Sequence, residues 1–272
     1  MKGKQQALPN TVHSLMKDFQ HLGLEQGMTI IVHSSLKSLG WVCGGPVAVI
    51  EALMNVVGQE GTIVMPTQSA DLSDPLYWEN PPVPEEWWDI IRQEMPAFDP
   101  KTTPTLGMGK IVECFRTYEG VVRSNHPTSS FAAWGKHAVD ITSEQSLSFA
   151  LGEQSPLQKL YDLKAMVLLI GVGYENNTSL HLAEYKADSC FTYQQGSPIM
   201  ENGERVWKEY EEYMYDVDYF TDIGRAFEKC HWISIGKVGQ AECRLIPQRE
   251  LVDFATIMLK KRKEEQLVQM NK

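Results

Sequence analysis

The chain has 272 residues, enough for one large α/β domain, and 43 % of them are hydrophobic, enough for a sizeable core. Its formal net charge of −10 at pH 7 counts against a nucleic-acid partner and suits a small cationic one. The sequence has neither a run of about 18 apolar residues nor an apolar stretch behind its first residues, so we expect no membrane span, no secretory signal and a cytoplasmic location.

The predicted elements begin with a helix over residues 8–24, where apolar side chains recur at helical spacing. Continuous apolar runs at 28–33, 61–65 and 165–170 are each followed by small or hydroxylated residues. Unbroken apolarity is typical of strands buried on both faces, the usual state in α/β sheets. Residues 46–57 predict a helix between the first two strands, so this part of the chain forms a strand–helix–strand unit.

A segment of different composition follows, at about residues 70–101. It holds six prolines, the pair Trp87-Trp88 and an excess of acidic residues. Loops of this length in a compact domain are usually functional or disordered, and the tryptophans favour an ordered one. We therefore predict an ordered insertion with one short helix around residues 85–93.

The remainder of the chain continues the α/β pattern. Further strands are predicted over residues 131–134 and 232–238, and a closing helix over 248–266. The whole chain, residues 1–272, is expected to form one domain. In such folds ligands bind beyond the carboxyl ends of the strands.

The most distinctive polar residues lie after the strand at 165–170. A polar loop leads into a helix whose first turn holds His181, and Glu184 follows three residues later on the same helix face. An imidazole that is oriented by a carboxylate can act as a general base. A buried histidine with a local polar partner would produce the same pattern, so the spacing alone does not decide between the two.

Two other groups of small residues are candidates for ligand contacts. Residues 33–36 follow the first strand, and their short polar side chains could hold a thioester oxygen or an amide; serines are also common in ordinary turns. Gly107 and Gly109 allow close approach of the backbone to a ligand, and Arg123 offers a planar fork for a phosphate.

Several familiar motifs are missing from the sequence. It has no nucleotide-binding glycine loop, no G-x-S-x-G elbow and no H-E-x-x-H helix. The five cysteines are scattered, which predicts neither a disulfide framework nor a cysteine zinc site. His33, His126 and His181 with Glu184 have no metal-ligand spacing, so we expect no metal.

The order of several short motifs resembles that of one family, the aminoglycoside 3-N-acetyltransferases, also called the antibiotic N-acetyltransferases, and in particular a Bacillus branch of it. The similarity covers roughly residues 8–260. The motifs are His33-Ser-Ser-Leu36, Met65-Pro-Thr67, Pro104-Thr-x-Gly-Met-Gly109, Val122-Arg-Ser-x-His-Pro127, Gly152-x-x-Ser-Pro156 and Thr178-x-x-His-x-x-Glu184.

The resemblance implies a three-layer α/β/α fold with a central, mostly parallel or mixed sheet, distinct from the GNAT acetyltransferase fold. It implies acetyl-CoA as the donor and a small cationic amine as the acceptor, and it allows a homodimer. It implies catalytic roles for His181 and Glu184, with acceptor contacts at Glu184, Asp216 and Asp218. It implies coenzyme contacts at His33, Ser34, Ser35, Leu36, Thr105, Gly107, Met108, Gly109 and Arg123.

The function that follows is direct transfer of an acetyl group to an aminoglycoside-type amine. The insertion and the stretch containing Asp216 and Asp218 are acidic and could concentrate a polycation, although most acidic runs are only solvated surface. The insertion departs from the pattern of the resistance enzymes, which bears on the acceptor more than on the donor. Two alternatives stay open: a CoA-dependent acyltransferase for a different endogenous amine, and a non-catalytic CoA-binding protein.

Overall fold

The computed structural model describes residues 8–270. Its strands, in chain order, are β1 (Thr29–Ser34), β2 (Thr62–Pro66), β3 (Val122–Arg123), β4 (Phe131–Gly135), β5 (Met166–Ile170), β6 (Thr192–Glu201), β7 (Glu204–Tyr213), β8 (Ser234–Val238) and β9 (Ala241–Pro247). Its α-helices are α1 (Val12–His21), α2 (Pro46–Val57), α3 (Trp88–Glu94), α4 (Gly109–Phe115), α5 (Ala138–Ser143), α6 (Pro156–Asp162), α7 (Ser179–Ala187), α8 (Phe220–Cys230) and α9 (Gln248–Met270).

Seven strands form one central sheet in the order β3-β4-β2-β1-β5-β9-β8. The three predicted apolar runs are its centre, where β1 pairs in parallel with β2 on one side and β5 on the other. Every other neighbouring pair in this sheet is antiparallel. Of the two predicted forms, mostly parallel or mixed, the mixed sheet is therefore correct.

Helices cover both faces of the sheet, which confirms the predicted three-layer α/β/α architecture. The apolar side chains of β1 divide between two cores: Ile30 and Val32 join the core beneath α1, α2 and α4, whereas Ile31 joins the core beneath α5 to α9. All three side chains are fully buried. Burial on both faces explains why the run is continuously apolar rather than alternating.

Most predicted boundaries lie within a few residues of the observed ones. The predicted helix over residues 8–24 begins only at Val12, because Thr11 caps it: the Thr11 side chain accepts the Ser14 N–H, and the Ser14 side chain accepts the Thr11 N–H. The helix over 46–57 is correct, with Pro46 in its first turn.

A long β-hairpin, formed by β6 and β7, stands apart from the central sheet and was not predicted. Its turn is Asn202-Gly203, and both residues have positive φ, at 53° and 85°. Asn-Gly is the usual dipeptide for such a turn, so this was the available sequence signal. The flanking strands escaped prediction because they are rich in polar residues.

The predicted insertion packs on this hairpin. Its short helix is preceded by one turn of 3-10 helix, Glu85–Trp87, and then runs through α3. The Phe98 N–H donates to the Pro198 carbonyl at 3.1 Å, and the Asp74 N–H donates to Gln195 Oε1 at 2.8 Å. The insertion is thus ordered, as the tryptophans suggested.

Within residues 8–270, no helix has the length and apolarity that crossing a membrane requires. The assignment of the whole chain to one domain and the homodimer stay predictions.

Candidate active site

His181 and Glu184 form a hydrogen-bonded pair in the first turns of α7. The helix begins directly after the polar loop that follows β5, and Asn177 supports its start by accepting the Ser179 N–H at 3.2 Å. His181 Nδ1 lies 2.6 Å from Glu184 Oε2. An ionised carboxylate can only accept a hydrogen bond, so in the neutral imidazole the Nδ1–H donates to Glu184 and Nε2 keeps its lone pair. The i, i+3 spacing noted in the sequence therefore produces an oriented imidazole.

The carboxylate of Glu184 is buried, with 2 % of its side chain exposed, and its second oxygen is also occupied. Oε1 accepts the Asp216 N–H at 3.0 Å and the Cys190 thiol at 3.4 Å. Burial and the nearby Glu184 carboxylate raise the pKa of the Cys190 thiol to about 12. Cys190 is thus a hydrogen-bond donor to the pair and a poor nucleophile at neutral pH.

A cavity of about 830 Å³ opens beside His181 at the carboxyl ends of β1 and β5. This is the edge of the sheet where ligands of α/β proteins bind. Predicted site residues that line it are His33, Ser34, Ser35, Leu36, Gly107, Met108, Gly109 and His181. The fold therefore brings together two motifs that are about 70 residues apart in the sequence, together with the base.

His33 and Ser34 carry polar atoms with unmet hydrogen-bonding capacity. His33 Nε2 and Ser34 Oγ are buried and have no partner among the described residues. Burial lowers the pKa of His33 to about 3, with His181 as a smaller cause, so the His33 ring is neutral at pH 7. The Ser35 N–H, in contrast, already donates to the Ile170 carbonyl at 2.9 Å. At the end of β1, the groups that are free to form a hydrogen bond with a ligand are therefore the side chains of His33 and Ser34, not the Ser35 amide.

Gly107 and Gly109 also line the cavity. Both have positive φ, at 73° and 85°, which favours glycine, and a Cβ at either would meet nothing within 4 Å. Lys110 follows them and lines the same cavity, as does Lys37 on the turn after β1. No ion pair involves either lysine in the described part of the chain. Sequence reasoning missed both, although each directly follows a predicted motif.

Arg123 and Thr105 lie outside the cavity lining. The Arg123 guanidinium donates to backbone and hydroxyl oxygens of Thr67, Ser69, Thr103 and Ser130. It also lies over the Phe98 ring, 4.9 Å from the centroid.

Thr105 donates both its N–H and its hydroxyl to Glu113 Oε2. Every nitrogen of the Arg123 guanidinium thus has a protein acceptor. The coenzyme contacts that the resemblance implied for Arg123 and Thr105 stay predictions.

The predicted acidic residues divide between the cavity rim and the surface. Asp216 and Asp218 are exposed and flank Val217, which lines the cavity. The insertion contributes no residue to the lining; its Asp74 pairs with Arg92 at 2.8 Å instead. Glu175, which was not predicted as a site residue, also lines the cavity.

No group of three or more His, Cys, Asp or Glu side chains that could hold a metal ion occurs within residues 8–270. His126 is fully buried away from the cavity, with its Nδ1 accepting the Ser129 N–H at 2.9 Å.

Comparison with known proteins identifies the family. A family model described as aminoglycoside 3-N-acetyltransferase matches residues 31–260. The aminoglycoside N(3')-acetyltransferase-like protein YokD, derived from the SPbeta prophage of Bacillus subtilis (strain 168), is 55 % identical over 248 residues, or 91 % of each chain. This relative confirms the expected similarity to a Bacillus branch.

Solved structures agree with the fold. The crystal structure of YokD superposes with a TM-score of 0.94 at 53 % identity, covering 95 % of this chain and 96 % of YokD. AAC-IIIb in a binary complex with CoASH gives 0.84 at 30 % identity, covering 94 % and 98 %. AAC-VIa bound to sisomicin gives 0.83 at 28 % identity, covering 94 % and 99 %. The chain therefore belongs to the aminoglycoside 3-N-acetyltransferase family of acyltransferases.

Proposed function

We propose that this protein transfers the acetyl group of acetyl-CoA directly to an amine of an aminoglycoside-type acceptor, with His181 as the general base. The observation that carries the proposal is the His181–Glu184 pair, whose histidine lines a cavity that Lys37 and Lys110 also line. Two structural relatives support the two substrates, since one was solved with CoASH and another with sisomicin.

Lys37 and Lys110 are suited to the phosphates of the coenzyme. Phosphate groups are recognised by cationic side chains, and these two cations line the cavity in a chain whose net charge is −10. Neither ammonium group is neutralised by a carboxylate within the described chain, so both are available to a ligand. Trp41, which is 68 % exposed at the same cavity, offers an aromatic face to the nucleotide base.

The reaction requires the neutral amine, because the ammonium form has no lone pair with which to attack. The amine nitrogen attacks the thioester carbon, and His181 Nε2 takes the proton that the amine loses. Glu184 stabilises the imidazolium that forms, because its carboxylate accepts from Nδ1 at 2.6 Å. The C–S bond then breaks and the CoA thiolate leaves; the His181 imidazolium gives up its proton, directly or through water, to form the CoA thiol and restore the neutral ring. Acid–base assistance of this kind contributes roughly 10²–10⁴-fold in rate.

The developing oxyanion of the thioester needs a hydrogen-bond donor. Ser34 Oγ and the neutral ring of His33 are candidates, because both have unmet hydrogen-bonding capacity at the end of β1. One such donor is typically worth roughly 10²–10³-fold in rate. Direct transfer is favoured over an acetyl-cysteine intermediate, since Cys190, the thiol that contacts the pair, has a pKa of about 12.

A cationic acceptor is supported by carboxylates at the cavity rather than by the insertion. Glu175 lines the cavity, and Asp216 and Asp218 lie on either side of the lining residue Val217. Attractions between exposed charges weaken with salt, because the Debye length falls from about 10 Å at 0.1 M to about 3 Å at 1 M. The KM for the acceptor is therefore expected to rise with ionic strength more than the KM for acetyl-CoA.

The test is acetyl-CoA consumption against amines that range from monoamines to aminoglycosides, at low and high salt. Aminoglycosides are expected to react best, with an acceptor KM that rises with salt. Equal reaction of monoamines without a salt effect would instead favour an acyltransferase for a different endogenous amine. Binding of acetyl-CoA without consumption in the presence of any amine would favour a non-catalytic CoA-binding protein.

A further inference from the structure

The mechanism above does not use one buried carboxylate close to His181. Glu212, near the end of β7, is only 6 % exposed, and within the described chain no lysine or arginine pairs with it. Its Oε2 accepts the Ala150 N–H at 3.1 Å, and its Oε1 accepts the Tyr213 N–H at 2.9 Å. Burial raises the pKa of Glu212. A carboxylate without a cationic partner is costly to bury, so the groups that donate hydrogen bonds to Glu212 must stabilise it.

The third group that donates to Glu212 is the Tyr215 hydroxyl, which lies 3.1 Å from Oε1. The Tyr215 ring packs on the His181 imidazole, with centroids 4.5 Å apart. Phe220 also packs on this imidazole, at 5.0 Å. The His181 ring therefore has two aromatic neighbours, and one of them is fixed at its far end by a buried carboxylate.

The same short segment also supports the other member of the pair. The Asp216 N–H donates to Glu184 Oε1, so residues 212–216 contact both His181 and Glu184. The anchor at Glu212 fixes this segment to the hairpin and, through Ala150, to the loop before α6. Neither Glu212 nor Tyr215 lines the cavity, so a change at either would act on the pair through these contacts.

We propose that Glu212 and Tyr215 are positioning residues that hold the His181 ring with Nδ1 on Glu184 and Nε2 directed away from it. The hydrogen bond from Tyr215 to Glu212 limits movement of the tyrosine ring, and the tyrosine ring limits rotation of the imidazole. The inference rests on the proposed function only for its kinetic consequence, because the ring contacts exist whatever reaction His181 performs.

The kinetic test compares Tyr215→Phe and Glu212→Gln with the unchanged protein. Tyr215→Phe keeps the ring and removes only the hydroxyl. The value of kcat is expected to fall roughly ten- to hundredfold, as small misplacements of a reacting group do, while the KM for acetyl-CoA stays within about twofold. Tyr161→Phe is the matched control, because Tyr161 also donates to a carboxylate, Asp253 Oδ1 at 2.7 Å, but its ring packs against Lys186 and Arg249 rather than on His181.

A second readout needs no activity. In protein labelled with ¹⁵N-histidine, the His181 ring should give the signals of a single tautomer with the proton on Nδ1, and Tyr215→Phe should give averaged signals. Averaged signals would support the positioning role even if no amine were acetylated, so the two proposals fail separately. Unchanged His181 signals with unchanged kcat in Tyr215→Phe would overturn the inference, as would an equal loss of kcat in Tyr161→Phe. Should Glu212→Gln not fold, Tyr215→Phe alone decides.

Discussion

Replacing Arg123 with alanine separates a structural role from a coenzyme-binding role. The motif Val122-Arg-Ser-x-His-Pro127 resembles a coenzyme-binding segment, yet the guanidinium is directed into the protein. It joins the end of β2 to the Thr103 carbonyl and to the Ser130 hydroxyl at the start of β4. Removing it is therefore expected to lower stability, whereas acetyl-CoA binding by the folded enzyme should change little.

The magnitude follows from the contacts that are lost. The Thr67 carbonyl keeps a donor in the Ser130 hydroxyl at 2.9 Å, but no other donor reaches the Thr103 carbonyl in the described chain. Thr103 is only half-buried, so water can replace the lost donor at its carbonyl, and the main loss is that of hydrogen bonds from a charged donor, which contribute about 1.5–3 kcal/mol each without adding fully.

Desolvation of the guanidinium offsets part of this, since burial lowers the pKa of Arg123 to about 10. We expect a net loss of about 2–4 kcal/mol.

Thermal unfolding and steady-state kinetics together check this prediction. A loss of that size corresponds to a fall in Tm of roughly 4–16 °C in a protein of this length. Arg123→Lys should recover only part of it, because one ammonium cannot reach all four acceptor residues. An unchanged Tm of Arg123→Ala together with a raised KM for acetyl-CoA would refute the structural role, because a residue that binds a phosphate of the coenzyme behaves in this way.

Two further predictions follow from the cavity and from the buried histidines. Lys37→Ala and Lys110→Ala should each raise the KM for acetyl-CoA with little change in Tm, and an acetyl donor that lacks the nucleotide should be affected by neither; equal effects on both donors would contradict a phosphate contact. Burial lowers the pKa of His33 to about 3 and of His126 to about 4, from the usual 6.5. The unfolded chain therefore binds more protons than the folded one below about pH 6.5. As the pH is lowered from there to about pH 4, the free energy of unfolding should fall by roughly 1.4 kcal/mol per pH unit for each histidine. Urea unfolding at pH 7, 6 and 5 measures that slope, which His126→Gln should reduce by about half; a slope unchanged in this variant would exclude His126 as a source.

The elements that sequence reasoning predicted are those determined by local pattern. The runs that became β1, β2 and β5 are apolar on both faces, and the spacing of His181 and Glu184 sets their contact within one helix turn. Contacts between residues that are far apart in the sequence leave no such pattern in it. Nothing near Arg123 in the sequence indicates that its guanidinium meets Thr67, 56 residues away.

Other site residues were missed because their sequence signal is ordinary. Lys37 and Lys110 resemble the solvated lysines of any surface until the fold brings the two turns that carry them to one cavity. Glu212 lies in a stretch of acidic residues, most of which are solvent-exposed, and only the hairpin buries it. A role of the acidic insertion in binding the acceptor stays a prediction, since composition does not tell which surface a loop covers.

The most direct test of the central claim is the rate at which His181→Ala forms acetylated product from acetyl-CoA and an amine that the unchanged protein acetylates. We predict a kcat at least about 10²-fold lower, because the base acts in the chemical step, with the Kd for acetyl-CoA nearly unchanged. Turnover close to that of the unchanged protein would contradict the account, since the pair with Glu184 would then have no part in proton transfer.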